Sequence, residues 1–456
     1  MTAFGVRGVI EGFYGRPWTH DQRRRMIASL GRWGMTTYLV APKDDPWHRI
    51  RWQDPFSAAQ LEALAELVAD GEDAGIEIAV ALGPGLTICY SDVDHCAALV
   101  HRVQQLHAVG VRRVALLLDD IPPLLQHPAD VVAYTDLVEA HLDLLRRFAA
   151  GVRGIDPQIS IAVCPMVYRG TGREDYVVRL GSGLDRDIDL MWTGRQICSE
   201  TIATPDAIVF DEMTAHRPLY WDNYPVNDVA MTHELHIGPL RGRDPDLADH
   251  AMGLLANPMP LFTASQIPLF TVAEYLCDPV GYEPDASWLR AVAELIAEPG
   301  DRAAFVHFGR CTQDSCLNDD AMPETGELLY AAAFAWRTGD LEGAVSILNE
   351  VSSQIASAAH RLASPGFSVP DLQRDIAPWV DKYRLGGEAL AAMARALRAA
   401  AARDRVDGMP DTSPDAIAEL RAVYERLQDN RYRMFGDGLE MTLAEMIEEF
   451  EWVASR

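Results

Sequence analysis

One alternation limits what this chain can fold into more than any other feature. Through the first 280 residues or so, short apolar runs take turns with amphipathic stretches. The runs are Gly5–Ile10, Thr36–Ala41, Ile76–Leu82, Arg113–Leu118, Ile159–Val163, Ile188–Trp192, Pro218–Trp221 and Met252–Ala256. The stretches predict helices over Thr19–Trp33, Ser57–Ala74, Ser91–Val109 and about 130–151. Thr19, with Gln22 three residues on, has the form of a capping box. Strands separated by helices at intervals of roughly 30 to 40 residues build parallel βαβ units. About eight such units close into a (β/α)8 barrel of the TIM type. A doubly wound sheet is the structural alternative, and the lack of a G-x-G-x-x-G after the first strand counts against it.

From about 290 the strand-like runs stop. Ser287–Ala297, Glu327–Ala363, Asp371–Arg405 and Ser413–Gln428 are Ala- and Leu-rich with helical period, broken by Pro and Gly at 365–370 and 406–415. The expected division is a catalytic barrel over 1–285 and an all-α domain over 286–456. A length of 456 residues holds a barrel of about 250 residues and a smaller helical partner. At 48% hydrophobic, the chain can bury a large core. A net charge of −27 repels phosphate backbones and acidic lipid, so neither nucleic acid nor membrane is an expected partner. No apolar run reaches the roughly 18 residues of a membrane span, and Met1–Arg7 lacks the pattern of a secretory signal. Seven cysteines without a C-x-x-C pair suit a reducing, cytoplasmic setting.

Polar residues collect where the runs end. The first run leads into Glu11-Gly12-Phe13-Tyr14, the second into Lys43-Asp44-Asp45, the fourth into Asp119-Asp120, and the fifth into Cys164 and Tyr168. The sixth leads into Thr193-Gly194, the seventh into Asn223 and Asp228, and the eighth into Asn257. In a β/α barrel every strand C-terminus opens on the active-site face, so these residues would converge. Aromatics (Phe13, Tyr14, Tyr168, Trp221) beside carboxylates and amides suit a sugar, whose C–H face stacks and whose hydroxyls need donors and acceptors.

Asp119-Asp120 is the sharpest element. Repulsion and desolvation after the apolar Leu116-Leu117-Leu118 should separate the two pKa values, leaving one carboxyl as a general acid. From the dipeptide alone, helix-capping or metal-binding aspartates read as well. Successive strand residues face opposite ways, so both can serve one substrate only if the backbone turns there.

Together, EGFYGRPW at 11–18, APKDD at 41–45, LLLDD at 116–120, WTG at 192–194 and WDN-x4-D at 221–228 resemble glycoside hydrolase family 84 over roughly residues 5–280. That family contains protein O-GlcNAcases and related β-N-acetylglucosaminidases. The resemblance implies a retaining exo-β-N-acetylglucosaminidase assisted by the substrate's own 2-acetamido group, without cofactor or metal. Its substrate would be terminal β-linked N-acetylglucosamine on a protein, peptide or glycan, including Ser/Thr of proteins. The resemblance makes Asp119 the orienter of the acetamido N–H and Asp120 the general acid and base. Lys43 and the Gly12 carbonyl would hold sugar hydroxyls, as would Asp228 and Asn257. Asn223 and Tyr168 would bond near the reacting centre, and Trp221, Thr193 and Cys164 would shape the acetamido pocket. Relatives set a helical region beside the cleft, sometimes from a partner subunit, which makes a homodimer an expectation.

The chain departs from the family pattern where Thr36 or Thr37 replaces an Asn and Met166-Val167 replaces a Thr-Glu pair before Tyr168. The second change bears on aglycone preference. Other readings stand beside this one: a hyaluronidase of the same family, a metal-dependent barrel hydrolase using Asp119 and Asp120 as ligands, or a carbohydrate-binding scaffold without turnover. Lys43, Asp44, Asp45 and Arg49 could form a surface ion-pair cluster. His233-x-x-His236 has metal-ligand spacing but no evident third ligand. Glu11 is expected to brace the barrel mouth.

Overall fold

Each apolar run becomes a strand of one sheet. In the computed structural model, which describes residues 3–319, 323–401, 414–436 and 438–454, the strands close a barrel in sequence order. They are β1 (Val6–Glu11), β2 (Thr37–Val40), β3 (Glu77–Leu82), β4 (Arg113–Leu117), β5 (Ser160–Cys164), β6 (Ile188–Trp192), β7 (Leu219–Asp222) and β8 (Gly253–Ala256). All pairings are parallel, and β8 closes on β1 with Gly253 opposite Val6. The helices are α1 (His20–Arg32), α2 (Pro46–Arg49), α3 (Ala58–Ala74), α4 (Val93–Ala108), α5 (Pro128–Ala133), α6 (Leu137–Ile155), α7 (Asp175–Gly183), α8 (Thr204–Thr214) and α9 (Phe262–Cys277).

The strands alternate by side. Ile10, Leu39, Ala79, Ala81, Ala115, Leu117, Ala162, Met191, Leu219 and Leu255 share one buried cluster with Cys164 and Trp221. Five alanines, Ala41 among them, leave room for the large Trp221 ring in the same layer. Each fully buried Leu or Ile contributes about 1.5–3 kcal/mol relative to exposure, so this filling sustains the barrel without a ligand.

Local chemistry sets the helix ends. The expected capping box forms at α1, where Gln22 N–H donates to Thr19 Oγ1 at 3.2 Å and Thr19 N–H donates to the Gln22 side chain at 2.8 Å. The single helix expected over about 130–151 is instead α5 and α6. Tyr134 is extended (φ −128°, ψ 149°), and Asp136 caps α6 by accepting from Glu139 N–H at 3.0 Å.

Cα proximity divides the chain into two compact units. The first comprises 1–229, 239–265 and 269–287, and the second 230–238, 266–268 and 288–456. Beyond the barrel run α10 (Pro284–Leu295), α11 (Pro299–Arg310), α12 (Pro323–Thr338), α13 (Leu341–Ala363), α14 (Pro370–Ala401), α15 (Pro414–Asp429) and α16 (Gly438–Ala454). The helix expected over Glu327–Ala363 divides at Gly339, whose left-handed φ of 85° ends α12, and Asp340 caps α13. Strands do not vanish entirely there: β9 (Asp314–Ser315) and β10 (Asn318–Asp319) form a short antiparallel pair. Within this unit Tyr383 stacks on Phe435 (5.7 Å, 18°), and Trp379 Nε1 donates to the His233 carbonyl at 2.9 Å. Most of the predicted 406–415 break, the 402–405 tail of the preceding helix, and Met1 and Thr2 lie outside the described residues. No helix among the described residues is long and apolar enough to cross a membrane.

Candidate active site

The ends of β1, β2, β4, β5, β7 and β8 supply one hydrogen-bonded cluster. Its centre is the aspartate pair. β4 stops at Leu117, and Asp120 takes a left-handed backbone (φ 53°), a conformation aspartate adopts more readily than most residues. This turn breaks strand alternation. Lys43 Nζ hydrogen-bonds Asp119 Oδ2 and lies 3.8 Å from Asp120 Oδ2, so both neighbours face one cation.

The two carboxylates differ in their surroundings. Asp119 is 6% exposed, and its Oδ1 is buried without a donor. Asp120 is more open and has a donor on each oxygen: the Tyr14 hydroxyl at 2.8 Å on Oδ2 and the Tyr168 hydroxyl at 3.0 Å on Oδ1. Burial pushes Asp120 upward, but Lys43, the two hydroxyls and Arg49 outweigh it and hold the carboxyl below its ordinary value. The free site therefore keeps Asp120 ionised, whereas sequence reasoning expected a protonated acid. The cause is this ring of donors, which the dipeptide does not reveal. The Tyr14 and Tyr168 phenols are pushed up, first by burial and then by Asp120, and stay protonated donors.

Lys43 is buried and spent on the aspartates, with its ammonium 5.1 Å from the centre of the Trp221 ring. It is thus not part of a surface ion-pair cluster. Asp44 Oδ2 accepts from Gly15 N–H at 2.8 Å, and Asp45 caps α2 through Trp47 N–H at 2.9 Å. Arg49, at the end of α2, reaches Tyr14 and the Asp120 carbonyl.

The opposite wall comes from β1, β7 and β8. Gly12 has no room for a side chain: a Cβ there would sit 2.4 Å from Trp221 Cζ2. Gly12 N–H donates to Asn257 Oδ1 at 3.2 Å, and Asn257 Nδ2 donates to Asn223 Oδ1 at 2.9 Å. The same Asn223 oxygen accepts from Trp221 Nε1 at 2.9 Å, while Asn223 Nδ2 donates to the Ile197 carbonyl at 2.8 Å. Asp228 accepts from Tyr14 N–H at 2.6 Å, and burial raises its pKa. Beneath them Arg243 grips Asp222 at 2.6 and 2.9 Å, a buried bidentate pair that fixes the end of β7.

Three residues take narrower places than their sequence context suggested. Thr193 spends its hydroxyl on the Gln196 carbonyl at 2.6 Å, and its N–H donates to the Tyr168 carbonyl at 2.8 Å. It therefore ties the loop after β6 to the one after β5. Cys164 is buried in the barrel interior, and desolvation pushes its thiol well up, so it stays a neutral lining group. Phe13 is 1% exposed against Trp18 at 5.7 Å, which makes it core and not a sugar platform. Glu11 braces the mouth as expected. It is fully buried and accepts from Arg23 at 2.7 and 2.9 Å, Tyr38 OH at 2.6 Å and Trp18 N–H at 3.1 Å.

Sequence reasoning placed Tyr14 only as a lining aromatic and gave Arg49 no role in the site. Their positions within EGFYG and after APKDD were the available signal. His233 and His236 belong to the second unit, and among the described residues no three His, Cys, Asp or Glu side chains gather as a metal-binding group.

Comparison with known proteins agrees with this architecture. Residues 7–310 match the family described as beta-N-acetylglucosaminidase. The chain is 31% identical over 274 residues to the protein O-GlcNAcase of Rattus norvegicus, a match covering 59% of this chain and 29% of the relative. The Mus musculus protein O-GlcNAcase gives the same figures, so the matched stretch spans less than a third of either curated relative. A mutant of the Thermobaculum terrenum O-GlcNAc hydrolase superposes with a TM-score of 0.91 at 30% identity, covering 99% of this chain and 96% of that one.

Proposed function

The chain belongs to the beta-N-acetylglucosaminidase family, and from that premise we propose that it is a retaining exo-β-N-acetylglucosaminidase working through an oxazoline intermediate. The observation that carries this reading is the unpartnered, buried Oδ1 of Asp119. A buried acceptor without a donor costs about 1–3 kcal/mol, and a ligand N–H relieves it. The acetamido N–H of the substrate is such a donor. With that N–H held by Asp119, the acetamido oxygen attacks the anomeric carbon and the bond to the leaving oxygen breaks. Asp120 gives its proton to that oxygen, then takes one from the water that opens the oxazoline. The paired carboxylates also favour the positive charge of the transition state.

Asp120 needs a proton for the first step. A sugar seated over it excludes water and strengthens the desolvation that already pushes it up. Lys43 between the carboxylates supplies the counter-charge that the metal-dependent reading would assign to a divalent cation. The names of the relatives support an O-GlcNAc group on Ser or Thr as the substrate, and a net charge of −27 disfavours polyanionic hyaluronan. Seven cysteines without a C-x-x-C pair support work in a reducing compartment such as the cytoplasm.

The test compares leaving groups. Asp120→Asn should lower kcat roughly 10²- to 10⁴-fold on an O-GlcNAc peptide and much less on an activated aryl glycoside. Equal losses on both substrates would overturn the acid role of Asp120.

A further inference from the structure

Arg49 is a charged residue at this site that the proposed chemistry leaves unused. Its Nη1 donates to the Tyr14 hydroxyl at 2.9 Å, and its Nη2 donates to the Asp120 carbonyl at 3.2 Å. The Tyr14 hydroxyl in turn donates to Asp120 Oδ2 at 2.8 Å. A phenol has one proton, and a guanidinium can only donate. With Arg49 donating to its oxygen, Tyr14 directs its proton to Asp120. The second contact holds the carbonyl of the residue whose left-handed backbone aims its carboxyl beside that of Asp119.

We propose that Arg49 is a positioning residue for the general acid and base: through Tyr14 it fixes the donor on Asp120 Oδ2, and through the Asp120 carbonyl it secures the turn. The inference rests on the reading of Asp120 as the acid and base. The groups that face Asp120 are Lys43 after β2, Tyr14 after β1, Cys164 on β5, Tyr168 after β5, Arg49 on α2, its neighbour Asp119, and Asp228 after β7. Burial pushes the Asp120 carboxyl up, and Arg49 is among the groups that pull it back. Removing Arg49 takes away a cation and unties the Tyr14 proton, and both losses raise the Asp120 pKa. Since the first chemical step uses protonated Asp120, the basic limb of kcat/KM should move to higher pH.

Two readouts test this. The first is the pH profile of kcat/KM on a glycoside with a poor leaving group. The second is the ¹³C titration of the Asp120 carboxyl, assigned by its loss in Asp120→Asn, which needs no turnover. In Arg49→Met both should move upward by roughly half a unit to one unit. Arg49→Lys should fall between Arg49→Met and the parent, because an ammonium does not reproduce the guanidinium fork. In a Tyr14→Phe background the Arg49→Met shift should shrink, as expected of groups acting through each other. An unchanged titration in Arg49→Met would overturn the proposal, and an undiminished shift without Tyr14 would overturn the route through the phenol. If Arg49→Met fails to fold, Arg49→Lys carries the same comparison. A parent enzyme without N-acetylglucosaminidase activity would instead refute the functional reading, while the carboxyl titration would still judge Arg49.

Discussion

Two buried carboxylates, Glu11 and Asp119, lie at the mouth of the same barrel and have opposite surroundings. Glu11 receives donors on both oxygens from a guanidinium, a phenol and a main-chain N–H. Asp119 shares Lys43 through one oxygen and has nothing on the other. Glu11 is complete without a ligand and Asp119 is not. Burial and charge alone do not separate these two groups, but the state of their lone pairs does. A saturated carboxylate holds the fold together, whereas an unsaturated one keeps a lone pair open to a further donor.

The largest expected effect breaks the comparison on the functional side. Asp119→Asn should lower kcat by roughly 10²- to 10³-fold on every leaving group, since it removes the acceptor that orients the acetamido group. Its stability should stay close to the parent's in urea melts, because Lys43 keeps Asp120 at 3.8 Å. Near-normal turnover would remove Asp119 from the chemistry. Glu11→Gln should do the reverse. It leaves the largely buried Arg23 without its counter-ion and should cost about 3–5 kcal/mol of stability, read from the same melts. Any fall in activity should follow the folded fraction, and a catalytic loss at full folding would make Glu11 part of the reaction.

A smaller effect sharpens the contrast with two imidazoles. His141 has Tyr90 and Tyr176 hydroxyls at 2.9 and 2.6 Å on its ring nitrogens, whereas His48 has the Ala81 carbonyl at 3.1 Å and a buried, unpartnered Nε2. Burial lowers both to about 3, with Lys43 adding to the effect at His48. Both stay neutral when folded and charge when unfolded. Their contribution to stability is therefore complete above the ordinary pKa near 6.5 and declines as pH falls from there towards 3. His141→Gln should flatten the loss of stability between pH 6.5 and 4 relative to the parent, by on the order of 1–3 kcal/mol across that interval. An unchanged slope would mean that His141 is already charged in the fold.

Much of the barrel was legible because its signals are local. Apolar runs a few residues long marked every barrel strand to within about a residue, and Thr19 and Gln22 announced the start of α1. The misses were places where single residues override a periodic pattern. Tyr134 interrupts one helix and Gly339 another, while α11 and α16 did not stand out in the sequence. In the candidate site, strand ends indicated which residues would gather but not how they divide their bonds. Lys43 looked like a sugar ligand, yet in the free site it bridges the aspartates. Thr193 and Asn223 hold loops, and Phe13 is core. Such allocations depend on which side chains meet across the barrel mouth, information carried by register and loop geometry.

The left-handed turn at Asp120 also governs how this site can be lost. Asparagine tolerates that backbone nearly as well as aspartate, whereas a β-branched residue does not. An aspartate codon becomes an asparagine codon by one nucleotide change. On the proposed chemistry, that change removes the acid while leaving Lys43, Tyr14, Tyr168 and the amide wall to hold a sugar. The fold thus stands one point mutation from a lectin-like descendant, and substitution by asparagine reports on chemistry with little disturbance of the chain.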